Sequence, residues 1–251
     1  MLKVSIITVT LNCVDYLSDA LLSVSKQDYS NLEIIVIDGG STDGSLEILK
    51  GFKFIDILIT EPDDGLYHAL NNGITQSTGD IVGFLHADDF FPKNSIVSDI
   101  VRVFNDHPHS DAVYGDLNYV SRKDISIIKR IWKSETFTPE LLKKGWMPPH
   151  PTLYIRKDWY SKYGFFDTSF KISSDYDFII KSFSNSSFKS VYLPSTIVNM
   201  RIGGVSNKSI KNIICKILED FYIIQKSSSC VYSSVITLLS KNFSKVKQFF
   251  V

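Results

Sequence analysis

Four short runs of mostly branched apolar residues, at 3–9, 33–38, 54–60 and 81–85, are separated by stretches with helical spacing. Leu17, Leu21, Leu22 and Val24 recur at that spacing within 15–27, a second stretch covers 43–50, and Leu66, Ala69, Leu70 and Ile74 mark a third at 65–77 in spite of Gly73. Strands that alternate with helices in this way are joined by crossovers, which build a mostly parallel sheet with helices on both faces. Such sheets bind ligands at the carboxyl ends of their strands. Here those ends carry residues 8–12, Asp38 with Gly39 and Gly40, Glu61-Pro-Asp-Asp-Gly65, and His86-Ala-Asp-Asp89. Carboxylates at three of four ends have no structural reason to be there, because a buried carboxylate is costly without a partner.

The last of these ends is the most demanding. Residues 82–91 form an apolar run ended by two adjacent aspartates, and the sequence leaves two readings of them. Asp88 and Asp89 hold a divalent cation, or they cap a helix that Pro92 opens. Lys and Arg number 27, as do Asp and Glu, so overall charge gives no argument for a nucleic-acid partner. The balance hides an asymmetry: residues 56–120 carry eleven acids against Lys93 and Arg102, and residues 201–251 carry eight bases against Glu219 and Asp220. Cys13, Cys215 and Cys230 are scattered and form no CxxC pair, which fits a reducing compartment. The opening MLKVSIITVT fits a buried strand better than a secretory leader, and no apolar run reaches the ~18 residues of a membrane span. A cytoplasmic location with at most peripheral membrane contact is expected.

Beyond a helix at about 93–106, residues 112–116 read as a further strand, and 119–120 with 125–132 as a hairpin or edge pair. A loop follows in which Pro148, Pro149 and Pro151 fix the path and present Trp146 and His150. Trp146 is either part of a binding surface or a plug for the core under the loop. Next come a strand at 152–155, a short helix to Tyr163, and a helix through Lys181 for which Ser174 or Asp175 is the candidate N-cap. Residues 188–200 read as two more short strands, and Arg201 stands beside a glycine turn. The pattern is helical from Ser209 onward, and 231–250 reads as an amphipathic helix with Lys241, Lys245 and Lys247 on its polar face.

Taken together, Ser5-Ile-Ile-Thr-Val-Thr-Leu-Asn12, Gln27, Glu33-Ile-Ile-Val-Ile-Asp-Gly-Gly-Ser-Thr-Asp-Gly44, Glu61-Pro-Asp-Asp-Gly-Leu-Tyr67, Asn71-Asn-Gly-Ile74, Gly79-Asp80 and the Asp88-Asp89 strand resemble the family 2 glycosyltransferases. The resemblance is dense over 3–91 and thinner over 150–206. It implies an α/β GT-A fold, with a catalytic domain at 1–206 and a helical extension at 207–251. Within the catalytic domain, 1–116 would bind the nucleotide sugar and 117–206 the acceptor. The implied reaction is an inverting, non-processive transfer from a nucleotide-diphosphate sugar, with Mn or Mg as cofactor. Donor contacts are implied for Thr8, Val9, Thr10, Leu11, Asp38, Asp64, Gly65, Asn71, His86, Ala87 and Asp88, metal ligation for Asp88 and Asp89, and the role of general base for Asp175. Trp146, His150 and Arg201 are the residues expected on the acceptor side.

Four positions depart from the usual family pattern: His86 where Asp or Asn is common, Gly39 where many members carry a second aspartate, His68 in place of an aspartate after Tyr67, and Ser174 where a glutamate is common. The QxxRW motif and membrane spans of processive polysaccharide synthases are absent. The Glu61–Tyr67 and Arg201–Ser206 stretches look most like bacterial enzymes that build O-antigen, capsule or exopolysaccharide repeat units on a polyprenyl-diphosphate carrier. The tail at 231–251 is expected to lie at an anionic membrane surface, to pack on the catalytic domain, or to form a homo-oligomer. A non-catalytic nucleotide-sugar binder is the alternative function.

Overall fold

The computed structural model describes residues 1–203, 209–227 and 231–246. Its centre is β1 (Val4–Thr10), buried along its whole length and flanked by two parallel neighbours, β2 (Leu32–Asp38) and β4 (Ile81–Phe84). With β3 (Ile57–Thr60) parallel to β2, these four strands make the expected parallel half-sheet, connected by α1 (Val14–Ser25), α2 (Ser45–Gly51) and α3 (Leu66–Gln76). Both faces of such a sheet are covered, so its central strands are mostly apolar rather than alternating. Ile7, Val9, Ile35 and Ile37 pack on one side against Leu70 and Ile74 of α3, and Val4, Ile6 and Ile34 pack on the other against Ala20 and Val24 of α1. Gly73 interrupts the helical pattern for a reason: a Cβ there would run into the Ile7 side chain, so its absence lets α3 lie directly on β1.

Past α4 (Ile96–Asp106), β5 (Ala112–Val120) continues beyond the expected stretch and pairs antiparallel with β6 (Ile128–Trp132), the anticipated hairpin. A short α5 (Pro139–Leu142), which the sequence reading missed, leads to a 3-10 turn at His150–Thr152 and then β7 (Tyr154–Arg156). β7 is antiparallel to both β4 and β5 and joins the two halves in the order β3-β2-β1-β4-β7-β5-β6. After α6 (Lys157–Tyr163) and α7 (Ser174–Ser184), one strand, β8 (Ser190–Arg201), stands where two short ones were expected. Its pairing with β5 slips between Tyr114 and Leu117, opposite Pro194. Proline cannot donate to a ladder, so the strand is interrupted there without being divided.

The chain ends in α8 (Ile210–Ser227) and α9 (Val231–Val246). Lys241 does not lie on a solvated face. It is 3% exposed, its ammonium sits 2.9 Å from Asp220 and 3.0 Å above the Tyr176 ring, and Lys216 meets the same carboxylate at 2.9 Å. Thr237 donates to the Lys143 carbonyl at 2.9 Å, so α9 packs against the segment that follows α5. The burial of Lys245 is not described, and Lys247 with the terminal 247–251 lies outside the described residues. Among the described residues no helix is long and apolar enough to cross a membrane.

Candidate active site

The loops after β1 and β2 lock each other. Gly39 donates to the Thr10 carbonyl at 2.9 Å, while Asn12, held at φ 52°, donates its amide to Ser41 Oγ and accepts from the Thr42 amide, each at 2.8 Å. Neither Ser41 nor Thr42 caps α2, whose N-cap is Gly44. Asp43 does more, because its carboxylate receives the amides of Val14 and Ser45 at 3.0 Å and so anchors the starts of both α1 and α2. Asp38 sits buried beneath this lock with Oδ2 accepting from Ser41 at 3.1 Å and Gly40 at 3.3 Å. Its Oδ1 and the hydroxyls of Thr8 and Thr10 have no partner. Val9 is buried beside them, and Leu11 is exposed at the rim.

Next to Asp38, the end of β2, the 61–64 turn and α3 surround a cleft of about 240 Å³ lined by Ile37, Glu61, Pro62, Asp63, Asp64, His68, Ala69 and Asn72. Gly39 explains itself here: a Cβ on it would stand 2.7 Å from Asp63 Oδ2. The Asp63 carboxylate fills the space that a side chain at position 39 would take. Gly65, at φ 120°, opens α3, and its amide is held by Asp63 Oδ1 at 2.9 Å. Asp64 is exposed at the mouth. Asn71 does not face this cleft with a free amide. It exchanges two hydrogen bonds with the backbone of Phe166, at 2.8 and 3.0 Å, and thereby fixes the loop before α7.

The two aspartates after β4 separate in role. Asp88 is partly exposed and its Oδ2 meets Arg122 Nη2 at 2.8 Å. Asp89 is fully buried. Its Oδ1 accepts the Arg201 amide at 3.2 Å, its Oδ2 has no partner, and burial followed by the charge of Asp88 pushes its carboxyl well above the usual range. Arg201, expected at the acceptor side, is 2% exposed and turned inward. It donates to the Asp88 carbonyl at 2.7 Å, pairs with Asp19 at 2.5 Å and lies over the rings of Tyr16 and Phe90. Its position makes it the clamp of the aspartate turn, reinforced by the backbone bridge between Phe90 and Asn199. Ala87 fills the core beneath, among Leu17, Leu21 and Val36.

Among the described residues no three His, Cys, Asp or Glu side chains gather into a metal cluster. The partly exposed carboxylate of Asp88 still suits a hard cation, with Asp89 buried behind it. Cys13 offers no thiolate there, because burial and then Asp88 push its thiol up to about 12. Mg and Mn sites commonly use one or two carboxylates and draw their other ligands from phosphate and water.

Across the edge from this turn stands Asp175, in the first turn of α7. Neither Ser174 nor Asp175 caps that helix. The N-cap is Ser173, and the amides of Lys171, Ile172 and Ser173 are received by the Glu219 carboxylate of α8 at 2.8–3.0 Å. Asp175 Oδ1 lies 3.1 Å from the Tyr67 hydroxyl and Oδ2 4.0 Å from His150 Nδ1. Burial and then Asp175 hold the Tyr67 phenol well above its ordinary range, so it is a donor at neutral pH. Burial lowers His150 to about 4 against the pull of Asp175, leaving a neutral imidazole whose Nε2 has no partner. His86 faces it at 6.0 Å between ring centroids and is itself lowered by burial. Trp146 packs against Tyr114, Phe137 and Phe183 as the plug under the proline loop, and does not present an open acceptor platform.

The sequence placed Thr8, Thr10, Asp38, His86, Asp88 and Asp89 on one edge, the fold sets His150 and Asp175 beside His86, and Arg122, Glu219 and the Tyr67 contact were not anticipated. Tyr67 had a signal, its place in the Glu61–Tyr67 motif. Arg122 and Glu219 had none, being 34 residues or more from what they hold.

Comparisons with known proteins point one way. The profile of the family described as glycosyl transferase family 2 matches residues 5–174, ending one residue before Asp175. The PGL/p-HBAD biosynthesis glycosyltransferase of Mycobacterium bovis is 30% identical over 208 residues, covering 81% of this chain and 78% of that protein. An uncharacterised glycosyltransferase of Haemophilus influenzae is 31% identical over 135 residues, covering 51% and 54%. Among solved structures, S. aureus TarS 1-349 in complex with UDP-GlcNAc superposes with a TM-score of 0.70 at 20% identity, covering 96% of this chain and 73% of that one. The mannosyltransferase PcManGT from Pyrobaculum calidifontis, in complex with GDP-Man and Mn2+, gives 0.65 at 19%, covering 96% and 69%. With its GT-A architecture and that extent of family match, the chain is an enzyme that belongs to glycosyltransferase family 2.

Proposed function

We propose that this enzyme moves one sugar, with inversion, from a nucleotide-diphosphate donor of the UDP class to a hydroxyl of a saccharide acceptor. The observation that carries the reading is the Asp175 carboxylate, which stands 3.1 Å from the Tyr67 hydroxyl and 4.0 Å from His150 Nδ1 on the sheet edge that also bears the Asp88 turn. Asp175 takes the acceptor hydroxyl proton as that oxygen attacks the anomeric carbon from the side opposite the diphosphate. The new C–O bond forms while the bond to the diphosphate breaks, and the electron pair leaves with the nucleoside diphosphate. The Tyr67 hydroxyl, shared between the Ile172 carbonyl at 2.6 Å and Asp175 at 3.1 Å, ties the base to the loop before α7, and the neutral His150 beside it adds no positive charge that would weaken its basicity.

Asp38 and the 240 Å³ cleft suit the nucleoside, since unpartnered acceptor oxygens there call for N–H and O–H donors. Asp88, with Asp89 behind it, would hold Mn or Mg, which when bound neutralises the diphosphate charge. The TarS complex with UDP-GlcNAc and the PcManGT complex with GDP-Man and Mn2+ support a nucleotide-sugar donor and a manganese-class ion. Residues 1–116 then serve the donor and 117–206 the acceptor. A lipid-linked O-antigen or exopolysaccharide intermediate at the inner face of the cytoplasmic membrane is the acceptor class the sequence motifs favour. Asp175→Asn tests the reading: donor binding persists while transfer is lost, and normal transfer by that variant contradicts it.

A further inference from the structure

The outward face of α8 is built backwards for a solvated helix. Ile210, Ile214, Leu218 and Tyr222, at successive four-residue steps, are 78, 52, 63 and 57% exposed, and Ile213 and Ile217 beside them are each 42% exposed. The inward face carries Asp220 with Ile223 and Ile224, packed on Phe170, Tyr176 and Ile180. A row of this length has no use in solution and marks a contact surface. Its occupant is indicated by charge. On α8 itself the charged residues are Lys211, Lys216 and Lys226 against Glu219 and Asp220. Both acids point into the protein, Glu219 onto the amides before α7 and Asp220 onto Lys216 and Lys241. Lys211 and Lys226 stay exposed at the two ends of the apolar row. A second copy of this helix would bring lysine rims against lysine rims. An anionic bilayer surface accepts the apolar row at the acyl boundary, the lysines at the headgroups and Tyr222 between the two.

We infer that α8 is an interfacial membrane-docking helix for anionic phospholipid, in place of the 231–251 tail. Through Glu219 the docked helix holds the loop that ends two residues before Asp175, so the base sits close to the bilayer. The docking stands on the surface of α8 alone. Only its use, delivery of a lipid-linked acceptor, rests on the function proposed above.

Co-sedimentation of the full chain with phosphatidylglycerol–phosphatidylcholine vesicles, and with phosphatidylcholine alone, tests the inference. Binding to the anionic vesicles only is expected, and the Ile214→Glu/Leu218→Glu double variant should lose at least about tenfold in partitioning. Its donor-dependent thermal stabilisation should stay that of the parent, which reports an intact fold, and Ile236→Glu on α9 should sediment normally. Equal sedimentation by the double variant overturns the inference, as does a parent that ignores anionic vesicles. So does a parent dimer in light scattering that the double variant breaks, which would assign the face to a second copy. Vesicle binding by an enzyme that glycosylates free saccharides as fast as lipid-linked ones leaves the docking intact and removes the lipid-linked acceptor.

Discussion

The two ends of the same parallel strands treat buried polar groups in opposite ways. At the amino end, Glu33 on β2 is 5% exposed and fully engaged, receiving Ser5 Oγ at 2.6 Å, Lys3 Nζ at 2.7 Å and the Thr78 amide at 2.8 Å. Ser5 in turn accepts the Gly79 amide at 3.0 Å. At the carboxyl end, five residues along β2, Asp38 Oδ1 has no partner, and neither do the hydroxyls of Thr8 and Thr10, Asp89 Oδ2 or His150 Nε2. Folding alone favours the first arrangement, because an unmade buried hydrogen bond costs about 1–3 kcal/mol. The second persists where a ligand supplies what is missing. The difference supports a fold-holding role for the amino end and the proposed donor site at the carboxyl end.

Breaking the functional end at its reactive group has the largest expected effect. Asp175→Asn should lower turnover by roughly 10²–10⁴-fold with donor affinity unchanged, measured by single-turnover transfer and by titration of the donor. Asp38→Ala should weaken donor binding about tenfold or more, and it should also lower the melting temperature, since it takes the acceptor from the Ser41 and Gly40 amides along with the unpartnered Oδ1. Glu33→Gln should cost about 1–3 kcal/mol in urea denaturation and nothing in donor affinity.

The two ends also titrate in different windows. Burial alone would raise Glu33, but hydrogen bonds from Lys3, Ser5 and Thr78 hold it at about 2, below its ordinary 4.5. Its contribution is present above pH 4.5 and disappears as pH falls toward 2, so the gap between Glu33→Gln and the parent should close over that range. His150 is lowered from 6.5 to about 4 by burial, so the unfolded chain binds the extra proton between those values. Its contribution is full above pH 6.5 and lost as pH falls toward 4, and His150→Gln should flatten the stability profile there, the smallest of these effects.

The parallel half-sheet and the polar clusters at its carboxyl edge were legible because they follow from local pattern: branched runs, helical spacing and turn residues. What was not legible depends on distant partners. Arg201 beside a glycine turn reads as a surface cation, and only the fold brings Asp19, 182 residues away, against it. Lys241 reads as the polar face of an amphipathic helix until Asp220 and Tyr176 are folded beneath it. Asp88 and Asp89 are equivalent in sequence and differ wholly in burial, because the turn between them points one side chain to the rim and the other under β8.

The contrast between the two ends is tested most directly by thermal stabilisation of the parent, Asp38→Ala and Glu33→Gln with UDP-, GDP-, dTDP- and CMP-sugars, each with and without Mn. The account predicts a shift for the parent with one nucleotide class, strongest with the metal, the same shift from a lower baseline for Glu33→Gln, and none for Asp38→Ala. A full shift in Asp38→Ala, or its loss in Glu33→Gln alone, would contradict the assignment of the donor site to the carboxyl edge.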